Sequence, residues 1–299
     1  MGDASAGADP VVQRLRAAGC VWAQDEARLL RQAARGDPLA LDRLVSRRIR
    51  GEPLEHVLGW ADFAGRRVPV RRGVFVPRAR TELLVRAATG LVAPADWVVD
   101  LCCGSAAVGL AVATRIPVRL VAVDFDVRAV AASRAALAQV ARPGGGPRVG
   151  PADAARSVRP PLVRRGDLFQ ALPQHLRGRV ALVVANAPYV PRARVRLMPR
   201  DARLGEPMSA LDGGPDGMVV QRRIVRAAPR WLAPGGHLLI ESMPAQSAAL
   251  AAAMDRHGMT ARVLADQDLG ATAVLGTLRP GPPGRPQRSL SSPPGGRPW

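Results

Sequence analysis

The feature that most constrains the fold is an alternation of short apolar runs with helical segments beyond residue 90. Four of these runs are found at residues 97–101, 118–123, 180–184 and 237–240. Their apolar residues are continuous rather than alternating, which indicates strands that are covered on both faces. Helices are predicted over 107–115 and 127–140. Apolar strands separated by helices predict an α/β fold with a mostly parallel sheet.

The chain before this sheet follows a different pattern. Apolar residues recur at helical spacing from residue 10 to about residue 50, and Asp37 and Pro38 suit the cap and first turn of a new helix. A small helical domain is therefore predicted over residues 1–53. Short apolar pieces separated by turn residues predict one or two β-hairpins over residues 54–78, which link this domain to the sheet.

The sheet is predicted to belong to a domain over residues 79–278, which begins with a helix near Thr81. Two segments have no periodicity. Residues 142–161 are rich in glycine, proline and arginine, and we predict a loop there. Residues 279–299 have low complexity and are predicted to be a disordered tail.

The charge of the chain allows two interpretations. The net charge is +19, from 43 basic and 24 acidic residues, and every basic residue is an arginine because the sequence has no lysine. A basic surface attracts phosphate, so a nucleic-acid partner is one interpretation. Codon bias is the other, since arginine, alanine, glycine, proline and valine all have GC-rich codons. The arginines are scattered and only 3% of residues are aromatic, which favours bias over a base-stacking site.

Several protein classes are disfavoured by the sequence. No stretch approaches the ~20 apolar residues of a membrane helix, and the N-terminus lacks the basic start and apolar run of a secretory signal. We therefore expect a cytoplasmic protein with no membrane partner, and a monomer. Three cysteines, two of them adjacent, are too few for a disulfide framework, and no metal site is expected.

Two acidic residues end successive strands. Asp100 closes the first strand and precedes the small-residue turn Cys102-Cys103-Gly104-Ser105-Ala106. In open α/β sheets a ligand binds beyond the carboxyl ends of the strands, where the backbone can approach it closely. Asp124 closes the second strand, where a carboxylate can accept both hydroxyls of a ribose. The pair indicates an adenosine-containing cofactor, although the Gly-x-Gly-x-x-Gly pattern is not met and a helix cap is an alternative role for Asp124.

The segment Asn186-Ala187-Pro188-Tyr189 follows the third strand directly and is the most specific motif. Its simplest interpretation is a rigid exit loop, because proline ends a strand ladder. A catalytic interpretation is also open. The side-chain carbonyl of Asn186 and the backbone carbonyl of Ala187 can accept both N–H groups of a planar amide or amine and aim its nitrogen at an electrophile. Tyr189 can stack on that flat group, and the electrophile would be the methyl sulfonium of S-adenosylmethionine.

Further motifs extend from about residue 50 to residue 245. They are Gly51-Glu52-Pro53, Phe63-x-Gly65, Pro77-Arg78-x-x-Thr81-Glu82, Asp167-Leu168-Phe169, Glu206-Pro207, Ala210-Leu211-Asp212-Gly213-Gly214-x-Asp216-Gly217 and Leu232-x-Pro234-Gly235-Gly236. With these and the two strand-end motifs above, the chain resembles the HemK-like protein-(glutamine-N5) methyltransferases, which modify a glutamine of peptide-chain release factors. The resemblance implies a seven-stranded class I methyltransferase domain, joined by a hairpin to an N-terminal helical domain that helps to recognise the protein substrate.

The resemblance also implies a set of cofactor-binding residues. Residues 102–106 would line the methionine part of S-adenosylmethionine, Asp124 would hold its ribose, and Asp167 and Leu168 would flank its adenine. The implied set is Asp100, Cys102, Cys103, Gly104, Ser105, Ala106, Asp124, Asp167, Leu168 and Asn186. In the family the turn is Gly-x-Gly-x-Gly, whereas this chain has Cys102, Gly104 and Ala106, so we expect a lower cofactor affinity or a rearranged turn.

The substrate amide would be held by the second motif. The resemblance implies that Asn186, Ala187, Pro188 and Tyr189 are the catalytic and substrate-binding residues. The second residue of this motif is usually proline in the family, and here it is Ala187, which supplies the same backbone carbonyl. We also place Pro77, Arg78, Glu82 and Glu206 in the substrate site. For the two glutamates a helix cap or a surface salt bridge is the alternative, and Arg78 is also expected to pair near the cofactor.

Three hypotheses on function follow. The first is methyl transfer from S-adenosylmethionine to the side-chain nitrogen of a protein glutamine, such as that of a release factor. The second is the same chemistry on adenine N6 or another exocyclic amine of RNA or DNA. The third is a weakly active or inactive cofactor-binding protein, because the turn has lost two glycines. If the arginines at 142–165 and 192–203 line the mouth of the site, they point to an acidic or ribosome-associated partner.

Overall fold

The computed structural model describes residues 9–140 and 160–280. Most of the predicted loop at 142–161 and nearly all of the predicted tail at 279–299 lie outside the described residues. Within the described ranges, no helix is both long enough and apolar enough to cross a membrane.

The N-terminal region is helical, as predicted. Its helices are α1 (Pro10–Ala17), α2 (Ala23–Ala34), α3 (Pro38–Ile49) and α4 (Leu54–Leu58). The Asp37 side chain caps α3 by accepting hydrogen bonds from the amides of Leu39 and Ala40, which satisfies two of the free N–H groups of the first turn. Leu15 and Leu30 are fully buried in a core shared by these helices.

The linker contains one hairpin and a helix, where the sequence predicted only hairpins. Strands β1 (Trp60–Phe63) and β2 (Arg66–Pro69) pair antiparallel. The preceding residues form α4, which ends at Gly59 in the left-handed conformation with φ of 84°. Five residues are too few for a helical period to be visible among the surrounding turns, and the prediction for residues 54–58 was therefore wrong.

The predicted mostly parallel sheet is confirmed. Within the described residues it has seven strands, in the order β5-β4-β3-β6-β7-β9-β8, and β9 runs opposite to the other six. The strands are β3 (Trp97–Leu101), β4 (Arg119–Asp124), β5 (Leu162–Arg165), β6 (Val180–Ala185), β7 (Leu232–Glu241), β8 (Met259–Asp266) and β9 (Ala271–Leu278). The strand predicted at 237–240 is longer, since Pro234-Gly235-Gly236 forms a register shift opposite β6 rather than a separating turn.

Helices cover both faces of this sheet. Those described are α5 (Glu82–Thr89), α6 (Ala107–Ala113), α7 (Val127–Leu137), α8 (Arg192–Val195), α9 (Arg200–Gly205), α10 (Met208–Leu211), α11 (Val219–Ala227) and α12 (Pro244–Arg256). Short 3-10 helices lie at Ala79–Thr81, Leu168–Ala171, Gln174–Leu176 and Ala228–Arg230. Val98 packs with Leu110 in one core, while its neighbour Val99 packs with Ile224 in the other. This double burial explains why the strands are apolar without alternation.

Candidate functional site

A cavity of about 960 Å³, its open mouth included, lies at the carboxyl ends of β3, β4 and β6. Strand β3 pairs with β4 on one side and with β6 on the other, so the connections leave this edge in opposite directions, as at other ligand crevices of open α/β sheets. Eleven of the predicted site residues line the cavity: Pro77, Asp100, Cys102, Cys103, Gly104, Ser105, Asp124, Asn186, Ala187, Pro188 and Tyr189. The topology therefore brings together motifs that are far apart in the sequence.

The turn after β3 contains three left-handed residues. Cys102, Gly104 and Ala106 have φ of 53°, 56° and 57°. Only glycine adopts this conformation without a steric penalty, which is why a glycine-rich turn suits this position. The turn keeps this backbone shape although two of the three positions carry a Cβ atom.

Asp100 is held by the helix that follows this turn. The amide of Gly109, in the first turn of α6, donates to Asp100 Oδ2 at 2.9 Å. A Cβ atom on Gly109 would lie 3.0 Å from the same oxygen, so the missing side chain is what permits the close approach of helix and strand.

Asp124 is fixed by two backbone amides. Its Oδ2 accepts from the amide of Gly104 and its Oδ1 from the amide of Asp126, both at 2.9 Å. The alternative role as a helix cap belongs instead to Asp126, whose side chain accepts from the amide of Arg128 at the start of α7. Asp124 therefore links the turn after β3 to the end of β4 and faces the cavity.

The two aspartates make this end of the cavity suited to a cation. Both are buried, and neither forms an ion pair with any described residue. Burial raises the pKa of Asp100 to about 7, against the opposing effect of the Gly109 hydrogen bond. Burial also raises the pKa of Asp124, while its backbone hydrogen bonds lower it. A positively charged ligand would favour the ionised form of both carboxyls.

The cysteines of the turn are protonated thiols. Burial raises the pKa of Cys102 and of Cys103, and the nearby aspartates raise both further. Cys103 Sγ lies 3.3 Å from Ser133 Oγ, and Ser133 in turn donates to the carbonyl of Gly104. These contacts connect the turn to Ser133 of α7 and help to fix its position.

Asn186 is oriented by a residue of a distant segment. Its Nδ2 donates to Thr81 Oγ1 at 3.2 Å, and this hydrogen bond fixes the orientation of the amide, with the nitrogen toward Thr81 and the oxygen away from it. No described residue donates to Asn186 Oδ1 or to the Ala187 carbonyl. Two acceptors at the edge of the cavity are thus free to hold N–H groups.

Tyr189 is held by a buried carboxylate. Its hydroxyl donates to Glu241 Oε1 at 3.0 Å, and Arg80 Nε lies 3.4 Å from the same oxygen. Burial, together with the charge of Glu241, raises the pKa of Tyr189. The phenol therefore stays a neutral donor, and its ring forms a fixed wall of the cavity.

The backbone of the Asn186–Tyr189 loop is enclosed by glycines. A Cβ atom on Gly213 would overlap the Pro188 carbonyl, and one on Gly217 would overlap the Tyr189 carbonyl. Gln246 Nε2 donates to this Tyr189 carbonyl at 3.0 Å. The motif Gly-Gly-x-Asp-Gly therefore needs glycine at positions 213 and 217, because the backbone of the Asn186–Tyr189 loop occupies the space that their side chains would fill.

Six predicted site residues lie outside the cavity lining. Ala106 is the last residue of the turn and is fully buried, and Leu168 begins a 3-10 helix. Asp167 pairs with Arg223 at 2.5 Å on the surface. The other three are Arg78, Glu82 and Glu206.

These three residues join segments of the chain. Glu206 is buried, pairs with Arg78 and accepts from the amide of Val76 at 3.1 Å. Glu82 accepts from the amide of Ala64 at 3.0 Å and so anchors the hairpin. For Glu206 the salt-bridge alternative considered from the sequence describes the contact that is observed, although the pair is buried rather than at the surface.

Sequence reasoning missed four residues that shape the site. Phe125, which is 54% exposed, lines the cavity beside Asp124. Thr81 and Arg80 also line it, and Glu241 lies behind Tyr189. Thr81 stands in the Pro77-Arg78-x-x-Thr81-Glu82 motif, so its motif was a usable signal. No pattern marked Glu241, since a carboxylate after an apolar strand has many roles.

The sheet order and the cavity at its carboxyl edge define a class I methyltransferase fold. A release factor glutamine methyltransferase from Geobacter sulfurreducens is 33% identical over 234 residues, which are 78% of this chain and 75% of that protein. One from Mycolicibacterium smegmatis is 39% identical over 78% of each chain. The chain therefore belongs to the release factor glutamine methyltransferase family.

Other comparisons add little to this assignment. No family model matches the chain. A solved structure of a release-factor-specific protein-(glutamine-N5) methyltransferase from Alicyclobacillus acidocaldarius is 20% identical over 69% of this chain and 95% of that chain, and its TM-score of 0.38 is too low to support more.

Proposed function

We propose that this chain transfers a methyl group from S-adenosylmethionine to the side-chain amide nitrogen of a glutamine in a peptide-chain release factor. The names of the relatives support the substrate. The observation that carries the chemistry is a pair of acceptors, at Asn186 and Ala187, to which no described residue donates. They lie in one cavity with two carboxyls that form no ion pair with any described residue.

The end of the cavity that is lined by Asp100 and Asp124 fits the cofactor. S-adenosylmethionine supplies an electrophilic methyl group on a sulfonium, and its methionine part carries an ammonium. Asp100 and Asp124, which have no cationic partner among the described residues, would gain a compensating charge from these groups. Asp124 retains lone pairs to accept ribose hydroxyls, and the half-exposed ring of Phe125 offers a flat surface beside it.

The other end of the cavity fits a primary amide. An amide nitrogen is a weak nucleophile because its lone pair is delocalised into the carbonyl. Asn186 Oδ1 and the Ala187 carbonyl would accept its two N–H groups, and Thr81 keeps the Asn186 oxygen turned toward the cavity. These fixed dipoles also stabilise positive charge that develops on the nitrogen, without reorganising during the reaction. The Tyr189 ring would hold the plane of the amide.

The altered turn does not remove this function in our proposal. The left-handed φ values at Cys102 and Ala106 preserve the backbone path that a glycine would take, so the cofactor can still approach the amides of the turn. Alanine at position 187 restrains the backbone less than the proline that is usual in the family. In our proposal, the close packing of Gly213 and Gly217 and the hydrogen bond from Gln246 hold the loop in place instead. We further propose that the protein acts in the cytoplasm as a monomer.

The test is to incubate the protein with methyl-labelled S-adenosylmethionine and either an unmodified bacterial release factor or total RNA. We expect label on one glutamine of the release factor, mapped by mass spectrometry. Asn186→Ala should lower the rate by about 10²-fold or more while the protein stays folded, because the side-chain acceptor of the substrate clamp is removed. Label on RNA but not on polypeptide would contradict the proposal.

A further inference from the structure

The mouth of the cavity carries a surface that the reaction itself does not use. The segment 192–208 contains five arginines and two acidic residues. Met198 lines the cavity, while Arg194, Arg196, Arg200 and Arg203 of the same segment are exposed. We call these four arginines, together with Leu197 and Leu204, the mouth surface.

The arginines of this surface are not consumed by internal ion pairs. Arg192, just before it, pairs with Asp212 at 2.7 Å, but Arg194, Arg196 and Arg200 are in no ion pair with any described residue. Among the described residues, Arg203 donates only to the Met198 carbonyl, at 3.0 Å. Of the two acidic residues of the segment, Glu206 is buried against Arg78, and Asp201 is half-buried and forms no ion pair with any described residue. The four arginines outnumber this one carboxylate, so the segment keeps a net positive charge.

The surface is apolar as well as basic. Leu197 is 75% exposed and Leu204 is 56% exposed, between the arginines. Both leucines offer apolar area that a protein partner can bury. Arginine is also enriched at protein interfaces, since its planar group pairs with carboxylates in a bidentate way.

The mouth surface is fixed rather than isolated on a loose loop. Val195 and Ala202 are buried beneath it, and the Gly73 amide donates to the Gly205 carbonyl at 3.3 Å. Gly73 itself lines the cavity and follows the exposed pair Arg71-Arg72, which extends the positive rim to a second segment. A partner on this surface would thus lie directly beside the entrance to Asn186.

We infer that the mouth surface binds a segment of the protein substrate that lies near the target glutamine and contains both acidic and aliphatic residues. This inference rests on the proposed function. Phosphates would also pair with the arginines, but segment 192–208 contains no aromatic residue on which a base could stack. The opposite charges accelerate encounter, and the leucines add buried apolar area in the complex.

The first experiment measures methylation kinetics on a bacterial release factor. The triple variant Arg194→Glu/Arg196→Glu/Arg200→Glu should raise KM by about tenfold or more, with the effect declining at high salt. The matched control is Arg226→Glu/Arg230→Glu/Arg256→Glu, which changes the net charge equally on exposed positions outside the cavity lining and should stay within twofold. An unchanged KM in the mouth variant overturns the inference.

The second experiment keeps the inference separate from the proposed function. Fluorescence anisotropy would compare a peptide of alternating Glu-Glu and Leu-Leu pairs with a ten-nucleotide uridine RNA. We expect peptide binding that the triple variant weakens about tenfold and that Leu197→Ser weakens by several fold. The inference about the mouth surface is overturned if RNA binds more tightly than the peptide. It is also overturned if neither variant changes peptide binding, even where glutamine methylation is found. Absence of methylation alone contradicts only the proposed function.

Discussion

The two ends of the cavity differ in whether positions that favour glycine can carry a Cβ atom. At the end proposed for the cofactor, Cys102 and Ala106 adopt left-handed backbone conformations although each has a Cβ atom. At the end proposed for the substrate amide, the glycines at 213 and 217 leave no space for such an atom, because carbonyl groups of the Asn186–Tyr189 loop occupy it. Both ends contain left-handed residues, but only in the turn after β3 do residues other than glycine occupy such positions.

The difference has a physical cause. A left-handed L-residue costs about 1–2 kcal/mol, and a turn that opens onto a cavity can accept this penalty without displacing a neighbour. A Cβ atom that overlaps a carbonyl must move a backbone, and here that backbone also carries the hydrogen bond from Gln246. The turn is therefore limited by local conformational energy, and the loop by packing.

The largest expected effect is on the packed side. Gly217→Ala should lower the free energy of unfolding by roughly 3 kcal/mol or more, since it combines a φ of 80° with overlap of the Tyr189 carbonyl. Gly235→Ala is the matched control, because its φ is 75° but no atom lies within 4 Å of the added Cβ. It should cost only about 1–2 kcal/mol in urea unfolding. Equal losses in both variants would remove the distinction between packing and conformation.

An intermediate effect should appear with pH on the cofactor side. The pKa of Asp100 is about 7 in the folded protein, against 3.8 without burial, so the folded state holds a proton that the unfolded state releases. The free energy of unfolding should therefore fall as the pH rises between these values and then level off.

Urea unfolding between pH 5 and pH 8 measures this slope. Asp100→Asn should reduce it, because the amide cannot ionise and its oxygen can still accept from Gly109. Affinity for S-adenosylmethionine, a cation at this site, should instead rise as the pH passes about 7. A slope of equal size in the wild type and in Asp100→Asn would show that Asp100 is not its source.

The smallest expected effect is in the turn itself. Cys102→Gly should raise the free energy of unfolding by about 0.5–1 kcal/mol, as relief of the left-handed penalty exceeds the entropy cost of glycine. Gly104→Ala, with φ of 56° and open space around its Cβ, should lower it by about 1 kcal/mol. Changes of the same sign in the two variants would contradict the conformational explanation of this turn.

Much of the fold was predictable because it depends on local patterns. Continuous apolar runs such as 180–184 marked buried strands, and these are present in the structure. Strand β5 was missed because Leu162–Arg165 has only two apolar residues at a sheet edge. Strand β8 was missed because most of its residues are partly or fully exposed, so its sequence lacks the apolar signature.

The candidate site was predictable where a motif and a strand end coincide. Asp100, Asp124 and Asn186 each follow this rule, and all three line the cavity. Contacts between segments that are distant in sequence carry no such signal. The bond from Asn186 to Thr81 and that from Tyr189 to Glu241 depend on tertiary packing, which a single sequence does not specify.

The strand order has a consequence for the synthesis of the protein. Strand β9 is the last strand of the described chain, yet it lies in the interior of the sheet, between β7 and β8. Until Ala271–Leu278 has left the ribosome, β7 keeps an open edge and β8 has no neighbour in the sheet. Such edges invite pairing with other chains, and long-range strand pairing is slow. The nascent chain can therefore complete its sheet only when its last described strand inserts between two strands made earlier.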